Sequence, residues 1–131
     1  MNLIWILLVG GIRDMKLTKG DSILFTCAVN GIENLDNWKI RCEIYDDYQH
    51  SIKLATANSG GSDEQIKITD SENCKFEIYV PKDATADFDD IAYIEIEVES
   101  PDGQIQTLNI RELPDGRFEL KDQKITWTTP S

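Results

Sequence analysis

The chain is 131 residues long, 40% hydrophobic and 28% charged, with 13 Lys and Arg against 24 Asp and Glu for a formal net charge of -11. That length supplies one domain able to bury a single core without staples. The acidic excess repels phosphate backbones and anionic membranes instead of releasing their counterions, so no nucleic-acid partner is expected and basic protein surfaces are favoured.

The most apolar stretch comes first, MNLIWILLV over residues 1–9. Its uninterrupted apolar run is far shorter than the roughly 20 residues a bilayer-spanning helix needs, so no membrane span is expected. It also lacks the positive n-region and small-residue cleavage site of a signal peptide. Residues 1–14 read as an apolar N-terminal arm or extra strand, hinged at Gly10-Gly11, that pairs with its own fold or with a neighbouring subunit. Ile4, Trp5, Leu7 and Leu8 are its candidate contact residues, because leaving them exposed invites aggregation. The β-sandwich domain proper is expected over 15–131.

From Met15 onward short alternating runs are separated by turn residues. Lys19-Gly20-Asp21 is a turn, after which Ile23, Phe25, Cys27 and Val29 alternate with Leu24, Thr26 and Ala28 until Asn30-Gly31. Both faces are apolar enough for a central strand. Leu35-Asp36-Asn37 leads into 38–45, where Trp38, Ile40, Cys42 and Ile44 point inward, with Trp38 as the candidate central aromatic. Residues 51–55 make a short strand, 58–64 (NSGGSDE) a surface loop, and Ile66 and Ile68 a further strand. Lys75 to Val80 alternates again and is closed by Pro81.

Residues 81–90, PKDATADFDD, lack that alternation and predict one short helical corner with Pro81 near its start. Tyr93, just beyond, is a candidate to anchor the crossing through its hydroxyl. The clearest pattern in the chain spans 91–110: Ile94, Ile96 and Val98 face one way, Glu95, Glu97 and Glu99 the other, and Ser100-Pro101-Asp102-Gly103 reverses the chain into a hairpin. Lys or Arg on a neighbouring strand should relieve the glutamate ladder. Pro114-Asp115-Gly116 is a second such turn, followed by 118–120 and 124–128 as final strands. About eight or nine short strands with almost no helical periodicity predict an all-β, two-sheet antiparallel sandwich.

Residues able to carry chemistry are sparse. Cys27, Cys42 and Cys74 are odd in number and lack metal-ligand spacing, which predicts buried free thiols. His50 is the one histidine, in the polar run Tyr45-Asp46-Asp47-Tyr48-Gln49-His50, and reads as a solvated loop residue without a nucleophile to serve. Asp83, Asp87, Asp89 and Asp90 have the oxygen chemistry of a calcium site but not the spacing of an EF-hand loop. The glutamate ladder reads as a solvent face, not as a glycosidase pair. No catalytic residue, cofactor or metal is expected. Tyr45, Tyr48 and Tyr79 fall at outward or loop positions and are candidate contact residues, since tyrosine is enriched at interfaces.

The order of these signals carries a resemblance. Leu17-Thr18-Lys19-Gly20-Asp21 opens one strand and Leu35-Asp36-Asn37-Trp38 the next. Phe76-Glu77-Ile78-Tyr79-Val80-Pro81 precedes the corner Asp83-Ala84-Thr85. Ala92-Tyr93-Ile94-Glu95-Ile96-Glu97-Val98 turns at Pro101-Asp102-Gly103 into Gln106-Thr107-Leu108, and Arg117-Phe118-Glu119-Leu120 and Lys124-Ile125-Thr126-Trp127 close the chain. Over residues 15–128 this resembles the immunoglobulin-like sandwich of phage tail and baseplate proteins, such as the N-terminal domain of upper baseplate proteins. The resemblance implies a non-enzymatic virion structural protein, made in the host cytoplasm, whose partners are other virion proteins and copies of itself. A head-decoration or head-to-tail protein is the alternative within that class. A carbohydrate- or receptor-binding module, using Tyr45, Tyr48 and the 58–64 loop against a glycan or receptor, is the alternative outside it.

Overall fold

Alternation of apolar and polar side chains governs the backbone along most of the chain. The computed structural model describes residues 5–9, 16–56, 65–110 and 113–122, and these form ten strands. They are β1 (Trp5–Val9), β2 (Lys16–Thr18), β3 (Ile23–Asn30), β4 (Lys39–Asp46) and β5 (Ser51–Ala55), then β6 (Ile66–Asp70), β7 (Lys75–Val80), β8 (Ile91–Glu99), β9 (Ile105–Ile110) and β10 (Arg117–Lys121). In β4, β7 and β8 every second residue is buried, as the two-residue period of a half-exposed strand requires.

The strands make two sheets. One has the order β1-β3-β7-β6; in the other, β8 lies between β4 and β10, with β5 beyond β4 and β2 beyond β10. β9 joins the sheets, because its residues 105–108 pair with β8 while Asn109 and Ile110 lie opposite Trp5 and Ile6 of β1. At the far margin a single parallel bridge between Thr56 and Ile66 links the two sheets again. The expected antiparallel sandwich is thus observed with two parallel pairings added, β1 with β9 and β2 with β10. They arise because the first strands divide between the sheets and run in the direction of the last ones.

Phe25, Cys27, Phe76, Ile78 and Val80 from one sheet meet Ile40, Ile44, Ile96 and Val98 from the other in a single buried cluster. Each large side chain removed from water contributes about 1.5–3 kcal/mol. Phe25 and Phe76, with no exposed surface, take the central place expected of Trp38, which packs only at the margin. Trp38 precedes β4, where the chain has not yet entered between the sheets.

The predicted helical corner is absent. Residues 82–87 form a succession of turns closed by the N–H groups of Ala84, Ala86 and Phe88 donating to the carbonyls of Pro81, Asp83 and Thr85. Asp83 holds a positive φ of 69°, which interrupts right-handed helical winding. The corner is fastened instead to the turn after β2: Gly20 N–H donates to Thr85 Oγ1 (3.1 Å), and Lys19 pairs with Asp90 (2.7 Å). Within the chain, all five residues of β1 pair with β3. Ile4, the 58–64 loop and the predicted strand at 124–128 lie outside the described residues.

Candidate interaction cleft

β8 is accompanied by β4 along its whole length, but its opposite flank is shared. Residues 91–93 pair with β10 and residues 96–99 with β9, so Ile94 and Glu95 have no cross-strand partner on that side. β9 leaves β8 at Leu108 and turns toward β1. The chain then returns through two tight turns, Leu113 N–H to Ile110 O and Gly116 N–H to Leu113 O, before β10 rejoins β8. Asp115 and Gly116 both hold left-handed φ, 63° and 70°. Gly116 lies so close to β8 that a Cβ there would fall 2.2 Å from the Ile94 carbonyl oxygen, which only glycine avoids.

The divergence of β9 from β10 opens a cleft of about 470 Å³. That volume lies within the range of small-ligand and side-chain pockets. Its floor is apolar, from the buried Ile94, Leu108, Ile110 and Leu113. Its rim is polar: Tyr45, Glu95, Thr107, Asn109 and Asp115. The ring of Tyr45 stacks on that of Tyr93, centroids 5.5 Å apart and planes inclined by 24°. Burial, followed by the charges of Glu95 and Glu43, pushes the Tyr45 hydroxyl above its ordinary value, so the group stays protonated. Tyr93 contributes its ring to this stack, and among the described residues no hydrogen bond from its hydroxyl accompanies it.

The glutamate ladder divides at the same place. Arg41 donates to Glu97 from Nε (2.9 Å) and Nη2 (2.6 Å), and Glu99 lies near both Arg41 (3.4 Å) and Lys39 (3.8 Å). That is the cationic relief predicted for the ladder. Glu95 instead stands opposite Glu43, and among the described residues neither forms an ion pair. Glu43 accepts a hydrogen bond from Ser51 Oγ (2.8 Å).

No protein-family model matches this chain, and no curated protein matches it in sequence.

The three candidate tyrosines do not share a surface. Tyr45 lines the cleft, Tyr48 is exposed at the β4–β5 tip, and Tyr79 lies on the other sheet opposite the exposed Leu24. Trp5, Leu7 and Leu8 are in β1, opposite Asn30, Ala28 and Cys27 of β3.

A feature not foreseen in the sequence is Asp46, buried at the end of β4. Its Oδ1 accepts from the N–H groups of Tyr48 (2.9 Å) and His50 (3.0 Å), and its Oδ2 from Asp89 N–H (2.9 Å), with His50 Nδ1 at 2.7 Å. Burial alone would raise the Asp46 pKa, but these donors, the Asp89 N–H foremost, outweigh it and hold the carboxyl at about 2. His50 is thus no freely solvated loop residue: its imidazole is held by Asp46 and stacks on Phe88 at 5.8 Å. The dyad has the orientation of a base and its supporting carboxylate, yet no hydroxyl or thiol meets His50 among the described residues. Its work is to fasten the β4–β5 tip to the 81–90 corner. The sequence signal was an Asp two and four residues ahead of the N–H groups it caps, an Asx-type arrangement.

Among the described residues no three His, Cys, Asp or Glu side chains converge to hold a metal ion, and no helix is long and apolar enough to cross a membrane. The acidic corner disperses, with Asp90 turned to Lys19 and the Asp89 backbone to Asp46. Cys27, Cys42 and Cys74 are all buried, and burial pushes the Cys42 and Cys74 thiols up and away from the reactive thiolate.

Proposed function

We propose that this protein is a non-enzymatic structural component of a phage virion, in the tail or baseplate, that works by protein–protein contact. The observation that carries the reading is the cleft between β9 and β10, a recess with an apolar floor and a polar rim on an exposed sheet face, which is the anatomy of a contact pocket. Strand order adds support. β1-β3-β7-β6 and β9-β8-β4-β5 are compatible with the A-B-E-D and G-F-C-C′ orders of an immunoglobulin-type sandwich, the fold that the sequence resemblance implies, with β10 an additional strand on the β9 flank of β8. The contact role proposed here rests on the cleft, whose lining includes Tyr45.

Light scattering and negative-stain microscopy of the full-length chain, alone and mixed with proteins encoded beside it, test this reading. Symmetric oligomers or a stoichiometric complex are expected. A chain that stays monomeric, joins none of those proteins and binds a glycan array would overturn it in favour of the carbohydrate-binding reading, to which the Tyr45–Tyr93 stack beside Glu95 lends itself.

A further inference from the structure

Along one face of β8 three glutamates repeat at every second position, yet among the described residues only two of them have a cationic partner. Glu97 and Glu99 are served by Arg41 and Lys39, while Glu95, at the mouth of the cleft, faces the like charge of Glu43 across the strand pair. Like charges directly opposite in a sheet are destabilising, and although Lys53 stands opposite Glu43 on the β5 flank, among the described residues neither glutamate forms an ion pair. Asp115 adds a second exposed carboxylate to the lining, also without an ion pair among the described residues. Tyr45 and an apolar floor line the same cleft.

We propose that this cleft receives an arginine side chain from a basic segment of a protein partner. A guanidinium is planar, forms paired hydrogen bonds to a carboxylate, stacks on aromatic faces and is more weakly hydrated than an ammonium. Its three-carbon stem covers apolar surface while the charged head reaches polar groups. Each requirement has a counterpart here: Glu95 and Asp115 for the charge, the Tyr45 ring for an aromatic contact, and Ile94, Leu108 and Leu113 for the stem. A net charge of -11 attracts a basic segment before contact is made. The inference rests on the contact-protein reading and names the chemistry of the partner at that site.

The test is an NMR titration of the full-length ¹⁵N-labelled chain with N-acetyl-arginine methylamide at constant ionic strength. The corresponding citrulline and lysine compounds serve as neutral and point-charge comparisons. The arginine compound should shift the amides of Tyr45, Glu95, Asn109 and Gly116 together, and the other two should do so more weakly. Glu95→Gln and Asp115→Asn, both at exposed positions, should each weaken the arginine response about threefold to fivefold. Equal responses to citrulline or lysine, or shifts scattered over all surface carboxylates, would overturn the assignment. If the chain assembles normally with Glu95→Gln, the arginine assignment fails while the contact reading stands. If arginine binds the cleft but no assembly or complex forms, the contact reading is the one that fails.

Discussion

The chain uses the tripeptide Pro-Asp-Gly twice, and the two copies live under opposite constraints. Pro101-Asp102-Gly103 caps the β8–β9 hairpin in solvent: Gly103 N–H donates to Ser100 O, Ser100 Oγ bonds to Asp102, and a Cβ on Gly103 would meet nothing within 4 Å. Pro114-Asp115-Gly116 instead sits between β9 and β10, and Gly116 is pressed against the backbone of β8. The same turn chemistry closes a hairpin in one place and interrupts a strand in the other. What differs is the neighbour, and the neighbour is set by tertiary pairing.

Breaking the contrast should give its largest effect at Gly116. Gly116→Ala adds a Cβ to a left-handed residue and drives it into the Ile94 carbonyl, so urea unfolding should show a loss of at least about 3 kcal/mol. Wild-type stability in that variant would refute the account of the split flank. Asp46 sharpens the comparison next, because it is a carboxylate beside a hairpin tip, as Asp102 is, but a buried one. Asp46→Ala strands the N–H groups of Tyr48, His50 and Asp89 and should cost about 2–3 kcal/mol by the same measurement.

The same carboxyl predicts an acid limb. Its folded value of about 2 lies below the ordinary 3.8, so its stabilisation is complete above pH 3.8 and drains away as the pH falls through about 2. Acid titration of the unfolding midpoint should show that loss in the wild type and lose it in Asp46→Ala. Gly103→Ala should cost only about 1 kcal/mol, from its φ of 91° alone. Asp102→Ala, exposed and bonded only to Ser100, should shift stability by no more than about 0.5 kcal/mol. Equal costs at the two glycines, read in one denaturant series, would erase the distinction drawn between the turns.

Where burial alternates strictly, the fold was legible in advance. β5 and β7 match the residues read as strands from pattern alone, and β8 with its inward Ile94, Ile96 and Val98 follows the predicted hairpin. The reason is local: period two is written in consecutive residues. Failures came where a distant partner decides. Asp83 takes a left-handed φ in a segment whose composition suits a helix. Trp38 lost the core to Phe25 and Phe76 because core position depends on where the sheets overlap. For the cleft, Tyr45 and the Glu95 ladder were visible as surface features, and Pro114-Asp115-Gly116 as a turn. Their meeting was not, since it follows from β9 abandoning β8 for β1 after Leu108, and no local pattern announces which sheet a strand's end will choose.

The pairing of β1 with β9, and of β2 with β10, sets a timetable for the molecule during its synthesis. Trp5 and Ile6 complete their sheet only once Asn109 and Ile110 exist, and Lys16–Thr18 waits for residues 119–121. At translation rates of roughly 5–20 residues per second, the leader stays half-paired for on the order of ten seconds. Through that interval the most apolar segment of the chain has one free hydrogen-bonding edge, offered to anything nearby. Crowding on a polysome should therefore endanger this protein during synthesis, because the pairing of Trp5 and Ile6 with β9 comes last and only then covers that part of the edge.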